Sequence, residues 1–214
     1  MSTPKPDART RLLDAGMQLL RERGYDATRV EDLCTAAGVT KGAFFHHFAS
    51  KADYGVAAAQ HWTDTTAPMF AAADYHAAPT PLARIFAYLD LRRAMIAGAP
   101  AQFSCVAGMM AQEVFETQPA ISDACGASIA GHAATLEADF AAAIAEHGLG
   151  DVRSRYGALH GVVHAADLAL HTQVVLQGGF VIAKALDDPA AVVASIDHLR
   201  RYLMLLFKPG ETLQ

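Results

Sequence analysis

Residues 28–53 read TRVEDLCTAAGVTKGAFFHHFASKAD, and the spacing of the apolar side chains in this stretch decides the fold. Val30, Leu33, Cys34 and Ala37 fall at i, i+3, i+4 and i+7, one face of a short helix. Thr28 followed by Glu31 has the form of a capping box at its start, and Gly38 stops it about two turns later. Thr40 then offers a cap for a second short helix, 41–48. There Phe44 and Phe48 point toward a core, while Lys41, Phe45 and His46 point outward. Two short helices joined by a glycine-containing turn make a helix-turn-helix, whose second member is built to enter the major groove of DNA.

Working outward, 7–23 is an amphipathic helix with Asp7 as its cap. It presents Leu12, Ala15, Gly16, Leu19 and Leu20 on one face and ends at Gly24. Downstream the helical period continues to the end of the chain. A fourth helix over 51–72 carries the stripe Tyr54, Ala58, His61, Trp62, Thr65 and Met69. Pro81 opens a fifth, with Leu82, Ile85, Phe86, Leu89 and Ile96 as its core face. A sixth spans 102–116. Pro119 opens a long seventh with Ile121, Cys125, Ile129, Leu136, Phe140 and Ile144 in register, ending near His147 and Gly148. Gly157 and Gly161 interrupt a weak helical pattern over 150–167. The last two helices, 168–186 and 189–207, are apolar on more than one side, which calls for a partner to cover them. Gly178 and Gly179 are costly in an ordinary helix and point to a tight helix crossing.

Composition agrees with an all-α protein. The 214 residues are 52% hydrophobic and 18% charged, and about one residue in five is the strong helix former alanine. No apolar run approaches the roughly 18 residues of a membrane span, and the first residues lack the apolar core of a signal peptide, so a cytoplasmic protein is expected. Cys34, Cys105 and Cys125 are odd in number and widely spaced, as reduced thiols are, and form neither a disulfide framework nor a CxxC metal site. The net charge of −5 argues against a DNA-coating surface. Residues 1–53, however, hold 8 of the 17 Lys and Arg against 7 of the 22 Asp and Glu, so DNA contact belongs to the first quarter of the chain.

The stretch RLLDAGMQLLRERGYDATRVEDLCTAAGVTKGAFFHHFASKADY resembles the DNA-binding region of the TetR family of bacterial transcriptional regulators. The resemblance covers about 45 positions, including the GYDAT turn, the double helix and the ASKAD entry to the fourth helix. It implies a helix-turn-helix DNA-binding domain over 1–50 and a helical effector-binding and dimerisation domain over 51–214. It also implies a homodimer in which the last two helices pack with their symmetry mates as a four-helix bundle.

On this reading Lys41 and Lys51 contact phosphate, helped by Arg29, Thr40 and His47, while Ala43, Phe45 and His46 face base edges. Arg9 and Arg11 reach the backbone or the minor groove from the first helix. The family usually carries a tyrosine at the position of Phe45 whose hydroxyl binds phosphate. Phe45 lacks that hydroxyl, which favours apolar contact with a thymine methyl. The resemblance also implies a ligand pocket among the later helices, where an effector shifts the spacing of two recognition helices that must fit successive major grooves.

Bulky residues on helices four to seven, Trp62, Phe86, Phe103, Met109, Met110, Glu113 and Phe140, are the candidate pocket lining. Cys105, near the start of the sixth helix, is a candidate thiol for an electrophilic effector. The expected function is a ligand-responsive repressor of a near-palindromic DNA operator that needs no cofactor and is not an enzyme. The alternative is a metal-binding or enzymatic helical protein using Cys105 or the stripe His160, His164, Asp167 and His171, spaced i, i+4, i+7 and i+11. No phosphate-binding glycine loop, HExxH or nucleophile elbow supports that alternative.

Overall fold

The computed structural model describes residues 6–149 and 163–207. Among them the chain is all helical: α1 (Ala8–Arg23), α2 (Val30–Ala37), α3 (Lys41–His47), α4 (Lys51–Ala71), a 3-10 turn (Asp74–Ala77), α5 (Pro81–Ala94), α6 (Pro100–Phe103), α7 (Val106–Val114), α8 (Pro119–Ala134), α9 (Glu137–Glu146), α10 (Ala165–Leu186) and α11 (Ala190–Phe207). No helix among the described residues is long and apolar enough to cross a membrane. The chain forms two compact units, Met1–Ala71 with Ser104–Ile129, and Ala72–Phe103 with Ala130–Gln214.

In the first unit, Asp7 caps α1 by accepting the Thr10 N–H at 2.7 Å, and Leu12, Leu13, Gly16 and Leu20 form its buried face. The start of α2 lies one residue later than the Thr28–Glu31 pattern predicts. Thr28 is buried, and its hydroxyl donates to the Gly24 carbonyl at 2.6 Å, closing the preceding turn instead of opening the helix. Arg29 becomes the first cap position, and Asp32 accepts its N–H at 3.0 Å. Glu31 is thereby left free of capping duty. Thr40 caps α3 as expected, accepting the Ala43 N–H at 3.1 Å.

Phe44, Phe48 and Tyr54 hold α3 in place. Their ring centroids lie 5.3 Å (Phe44–Phe48), 5.7 Å (Phe44–Tyr54) and 5.2 Å (Phe48–Tyr54) apart, and the Tyr54 hydroxyl donates to the Leu12 carbonyl at 3.1 Å. Gly16 makes room for that hydroxyl, since a Cβ at this position would run into the Tyr54 oxygen. Val106, Met110 and Val114 of α7 and Ile121 and Cys125 of α8 complete this core. Along α4 only the first part of the predicted stripe is buried. Tyr54 and Ala58 are inside, whereas Thr65 and Met69 are exposed beside Pro68, which has no N–H to give the helix.

Two predicted helices divide. The sixth breaks at Ser104–Cys105, because the Cys105 thiol accepts the Gly108 N–H at 3.4 Å and caps a new helix, α7. The long seventh breaks at Thr135–Leu136. There the Thr135 hydroxyl returns to the His132 carbonyl at 2.7 Å, and the Leu136 N–H takes the Ala133 carbonyl at 2.9 Å.

In the second unit, α5, α9, α10 and α11 pack together. Arg84 pairs with Asp139 at 2.6 Å. Arg200 pairs with Asp90 at 2.6 Å and lies 4.9 Å from the Phe86 ring centre. The glycine pair on α10 separates in role. A Cβ on Gly179 would stand 3.2 Å from Val192 Cγ1 of α11, a tight crossing within the chain, whereas Gly178 is exposed with nothing nearby. Tyr88, absent from the predicted core face of α5, is fully buried. Its hydroxyl shares a 2.9 Å hydrogen bond with His132 Nε2 and accepts from the buried Gln173 amide at 3.4 Å.

Two stability predictions follow from these cores. Gly16→Ala should lower the unfolding free energy by about 1–2 kcal/mol in chemical denaturation despite alanine's better helix propensity, because the displaced Tyr54 has no space to move into. Burial, reinforced by the charge of Arg92, pushes His132 down from 6.5 to about 4. The unfolded chain therefore takes up a proton at a pH where the folded chain does not. The stability held above about pH 6.5 should fall as pH drops toward 4, by about 2 kcal/mol at pH 5. His132→Gln should lose that part of the pH slope in urea titrations at pH 7 and 5; an unchanged slope would exclude His132 as its source.

Candidate nucleic-acid interface

The outward face of α3 is built from residues the aromatic core excludes. Phe45 is 48% exposed, its ring edge-on to Phe44 at 5.2 Å, while Phe44 itself is fully buried. Of two neighbouring phenylalanines, one anchors and one projects. His46 is exposed beside the half-buried His47, their rings 5.0 Å apart, and Ala43 is half-buried. Thr40 spends its acceptor on the cap and stays exposed.

The basic residues expected on this surface are mostly engaged. Lys41 Nζ lies 2.6 Å from Glu31 Oε1, a pair that raises the ammonium pKa and lowers that of the carboxylate. Arg29 is well exposed and meets Asp32 at 3.5 Å. Lys51 is partly buried; its ammonium sits 4.4 Å from the Tyr25 ring centre and donates to the Asp26 carbonyl at 3.2 Å. Burial lowers its pKa, opposed by Asp26 and Glu113. In return the Tyr25 hydroxyl donates to the Lys51 carbonyl at 3.1 Å, clamping the start of α4 to the turn after α1.

Arg11, expected to reach DNA, instead donates from Nη1 to the Ala37 and Gly38 carbonyls at 3.2 and 3.3 Å. The last carbonyls of α2 are acceptors near the negative end of the helix dipole, which a guanidinium satisfies at close range. Arg9 lies 5.6 Å from the Phe48 ring centre.

Glu113, expected in a pocket lining, has a contact the sequence did not reveal: its carboxylate accepts the Asp26 N–H at 2.9 Å and crowds Gly24, whose φ is +84°. It fixes the GYD turn ahead of α2. A lone acid in the apolar helix VAGMMAQEV was the available signal, but its partner lies 87 residues away.

The other candidate effector residues divide between the units. In the first, Met110 is fully buried, Met109 is half-buried, and Trp62 is half-buried with the Arg21 guanidinium 5.8 Å from its ring centre. Cys105 is half-buried at the cap of α7. Burial raises the Cys34 thiol and pushes Cys125 up to about 12, which leaves both protonated. In the second unit, Phe140 is fully buried, Phe86 lies against Arg200, and Phe103 stands 6.0 Å from Phe180. The polar set Tyr88, His132 and Gln173 lies inside this unit and was not anticipated.

His160 lies outside the described residues. His164 is the cap residue ahead of α10 and gives it no side-chain bond. Asp167 is exposed in the first turn, and His171 packs edge-on against Tyr202 at 5.9 Å. Among the described residues no group of three or more His, Cys, Asp or Glu could hold a metal.

Comparison with known proteins bears on both sequence and fold. Residues 12–53 match the family model described as bacterial regulatory proteins, tetR family. The chain is 31% identical over 103 residues to the transcriptional regulator AcuR of Cereibacter sphaeroides, covering 48% of this chain and 47% of that protein. It is 43% identical over 51 residues to the HTH-type transcriptional repressor NemR of Escherichia coli, covering 24% and 26% respectively. The matched stretches thus span about half or less of the length of these curated relatives.

Among solved structures, a TetR-family transcriptional regulator from Agrobacterium tumefaciens superposes with a TM-score of 0.72 at 21% identity, over 91% of this chain and 96% of that one. The regulatory protein TetR from Rhodobacter sphaeroides does so with a TM-score of 0.72 at 24% identity, over 91% and 98%. The helix-turn-helix stretch is thus similar in sequence to the tetR family of bacterial regulatory proteins, and the fold is the one seen in TetR-family structures.

Proposed function

We propose that the protein is a cytoplasmic, homodimeric, DNA-binding transcriptional regulator, acting as a repressor that a small-molecule effector releases from its operator. The observation that carries this reading is the outward row Lys41, Phe45 and His46 on α3, held by the buried Phe44 and Phe48. Arg29 supplies phosphate contact with the exposed Thr40, the half-buried His47 and Lys51, while Lys41, paired with Glu31, heads the outward face of α3. Phe45 meets a thymine methyl, His46 reaches a purine edge, and Ala43 lets the helix approach closely.

Dimerisation rests on α10 and α11. Leu170, Val174, Ile182 and Leu186 are 50%, 59%, 49% and 66% exposed along one side of α10, and Tyr202 and Leu205 of α11 are 45% and 52% exposed. An apolar stripe on two adjacent helices suits a second copy of the same stripe, and two-fold symmetry calls for a near-palindromic operator.

For the effector, the buried Tyr88 and Gln173 and the half-buried His132, with Phe103 and Phe140 in the same unit, supply the few polar groups in apolar surroundings that a small organic molecule requires. Cys105 is the thiol placed for an electrophilic effector. It is less buried than Cys34 and Cys125, and its sulfur accepts the Gly108 N–H at the start of α7. The relatives named above are regulators, and no observation favours the metal-binding or enzymatic alternative.

Fluorescence anisotropy on the duplex flanking the coding sequence, against scrambled duplex at two salt concentrations, tests DNA binding. Selective, salt-sensitive binding is expected, and Lys41→Ala, which leaves the Glu31 carboxylate unbalanced, should weaken it on every sequence with a salt slope shallower by about one. Equal, salt-insensitive signals for both duplexes and for a selected library would contradict the reading. Val174→Asp should convert a dimer to a monomer in light scattering with helix content preserved, because the side chain is solvent-facing in the single chain. An unchanged mass would place the interface elsewhere.

A further inference from the structure

The contact between Glu31 and Lys41 has no part in holding the fold. Both side chains are exposed, 61% and 60%, and the helix starts on either side are capped by other groups, Asp32 for α2 and Thr40 for α3. The pair spans 10 positions of sequence from the first turn of one helix to the first residue of the next, on the side of the double helix where Lys41 projects. An exposed ion pair of this kind adds little stability. Its effect lies in what it does to the surface, because it places a carboxylate 2.6 Å from the cation at the head of the reading helix.

We propose that Glu31 is a specificity-determining residue: it neutralises Lys41 toward phosphate, and it turns the pair into a reader of base edges. This rests on the DNA-binding reading above. DNA of any sequence attracts a protein through cations that displace condensed counterions, one for each phosphate neutralised. A lysine already balanced by a carboxylate at bonding distance releases none. If a phosphate takes the ammonium, the carboxylate is left facing the polyanion. The pair therefore subtracts about one phosphate equivalent from binding to unread sequence.

Base edges treat the pair differently. The major groove presents the N4 amino group of cytosine as a donor and O6 and N7 of guanine as acceptors, so a carboxylate beside an ammonium complements cytosine and guanine in adjacent positions. Only a duplex that offers this pattern recovers the interactions the pair gives up. The other acid of the α2 first turn cannot substitute, since Asp32 is committed to the Arg29 N–H and side chain.

The test compares the full native chain with Glu31→Gln and with Glu22→Gln, which makes the same change in net charge on α1, where Glu22 accepts from Gln18. Each is titrated by anisotropy against a random-sequence duplex at several salt concentrations, and against the duplex the native chain selects from a random library. Glu31→Gln should bind random duplex roughly tenfold tighter near 0.1 M salt, with a slope steeper by about one, and its ratio of selected to random affinity should fall. Glu22→Gln should leave both nearly unchanged.

Equal effects of the two substitutions would reduce Glu31 to bulk charge, and an unchanged or weakened random-duplex affinity in a folded Glu31→Gln would overturn the proposal. If the native chain itself binds no duplex, the DNA-binding reading fails first, and that outcome is visible before the variants are compared.

Discussion

The packing of Tyr54 into the angle between α1 and α3 is the constraint on which the presentation of the reading helix depends. Its ring closes against Phe44 and Phe48, its hydroxyl reaches the Leu12 carbonyl, and Gly16 leaves the space it occupies. A seven-residue helix has too few internal hydrogen bonds to persist alone. It persists because one side is welded to a longer helix on each flank, and the other side is thereby free to carry residues chosen for contact. Phe45, 48% exposed, stands on that outer side next to the buried Phe44.

Electrostatics on this surface is restrained. Arg11 closes the end of α2, Lys51 is clamped by Tyr25 and Asp26, Arg29 meets Asp32, and Lys41 meets Glu31. Cations that a charge map would count as free are already serving helix ends or acids. On the proposed function, a protein of net charge −5 with such a surface gains modest affinity from phosphate alone, so selectivity would fall to the few groups that reach bases and to the doubling of sites in a dimer.

Much of this was legible in the sequence, because the decisive signals are local. The 3.6 periodicity, Gly24, Gly38, the Thr40 cap and the outward set on α3 are all read within a few residues of one another. What was illegible depends on distant partners. Thr28 looks like a cap until the Gly24 carbonyl claims its hydroxyl, and the bond of Arg11 to the end of α2 has its partner 26 residues away. The bond of Glu113 to Asp26 likewise has its partner 87 residues away. The splitting of two long helices turned on small side chains, Cys105 and Thr135, that bond backbone locally without interrupting the apolar pattern. Tyr88, His132 and Gln173 escaped notice because polar residues on a helix are ordinarily read as solvent-facing.

Two copies of α3 reading DNA together, as proposed, would leave a signature in the duplexes that this 214-residue chain selects from a random library, read by sequencing. The account predicts an enriched motif of two inverted half-sites with centres one helical turn or a multiple of it apart, about 34–36 Å per turn. Recovery of duplexes with no common motif, or of a single unpaired half-site, would contradict it.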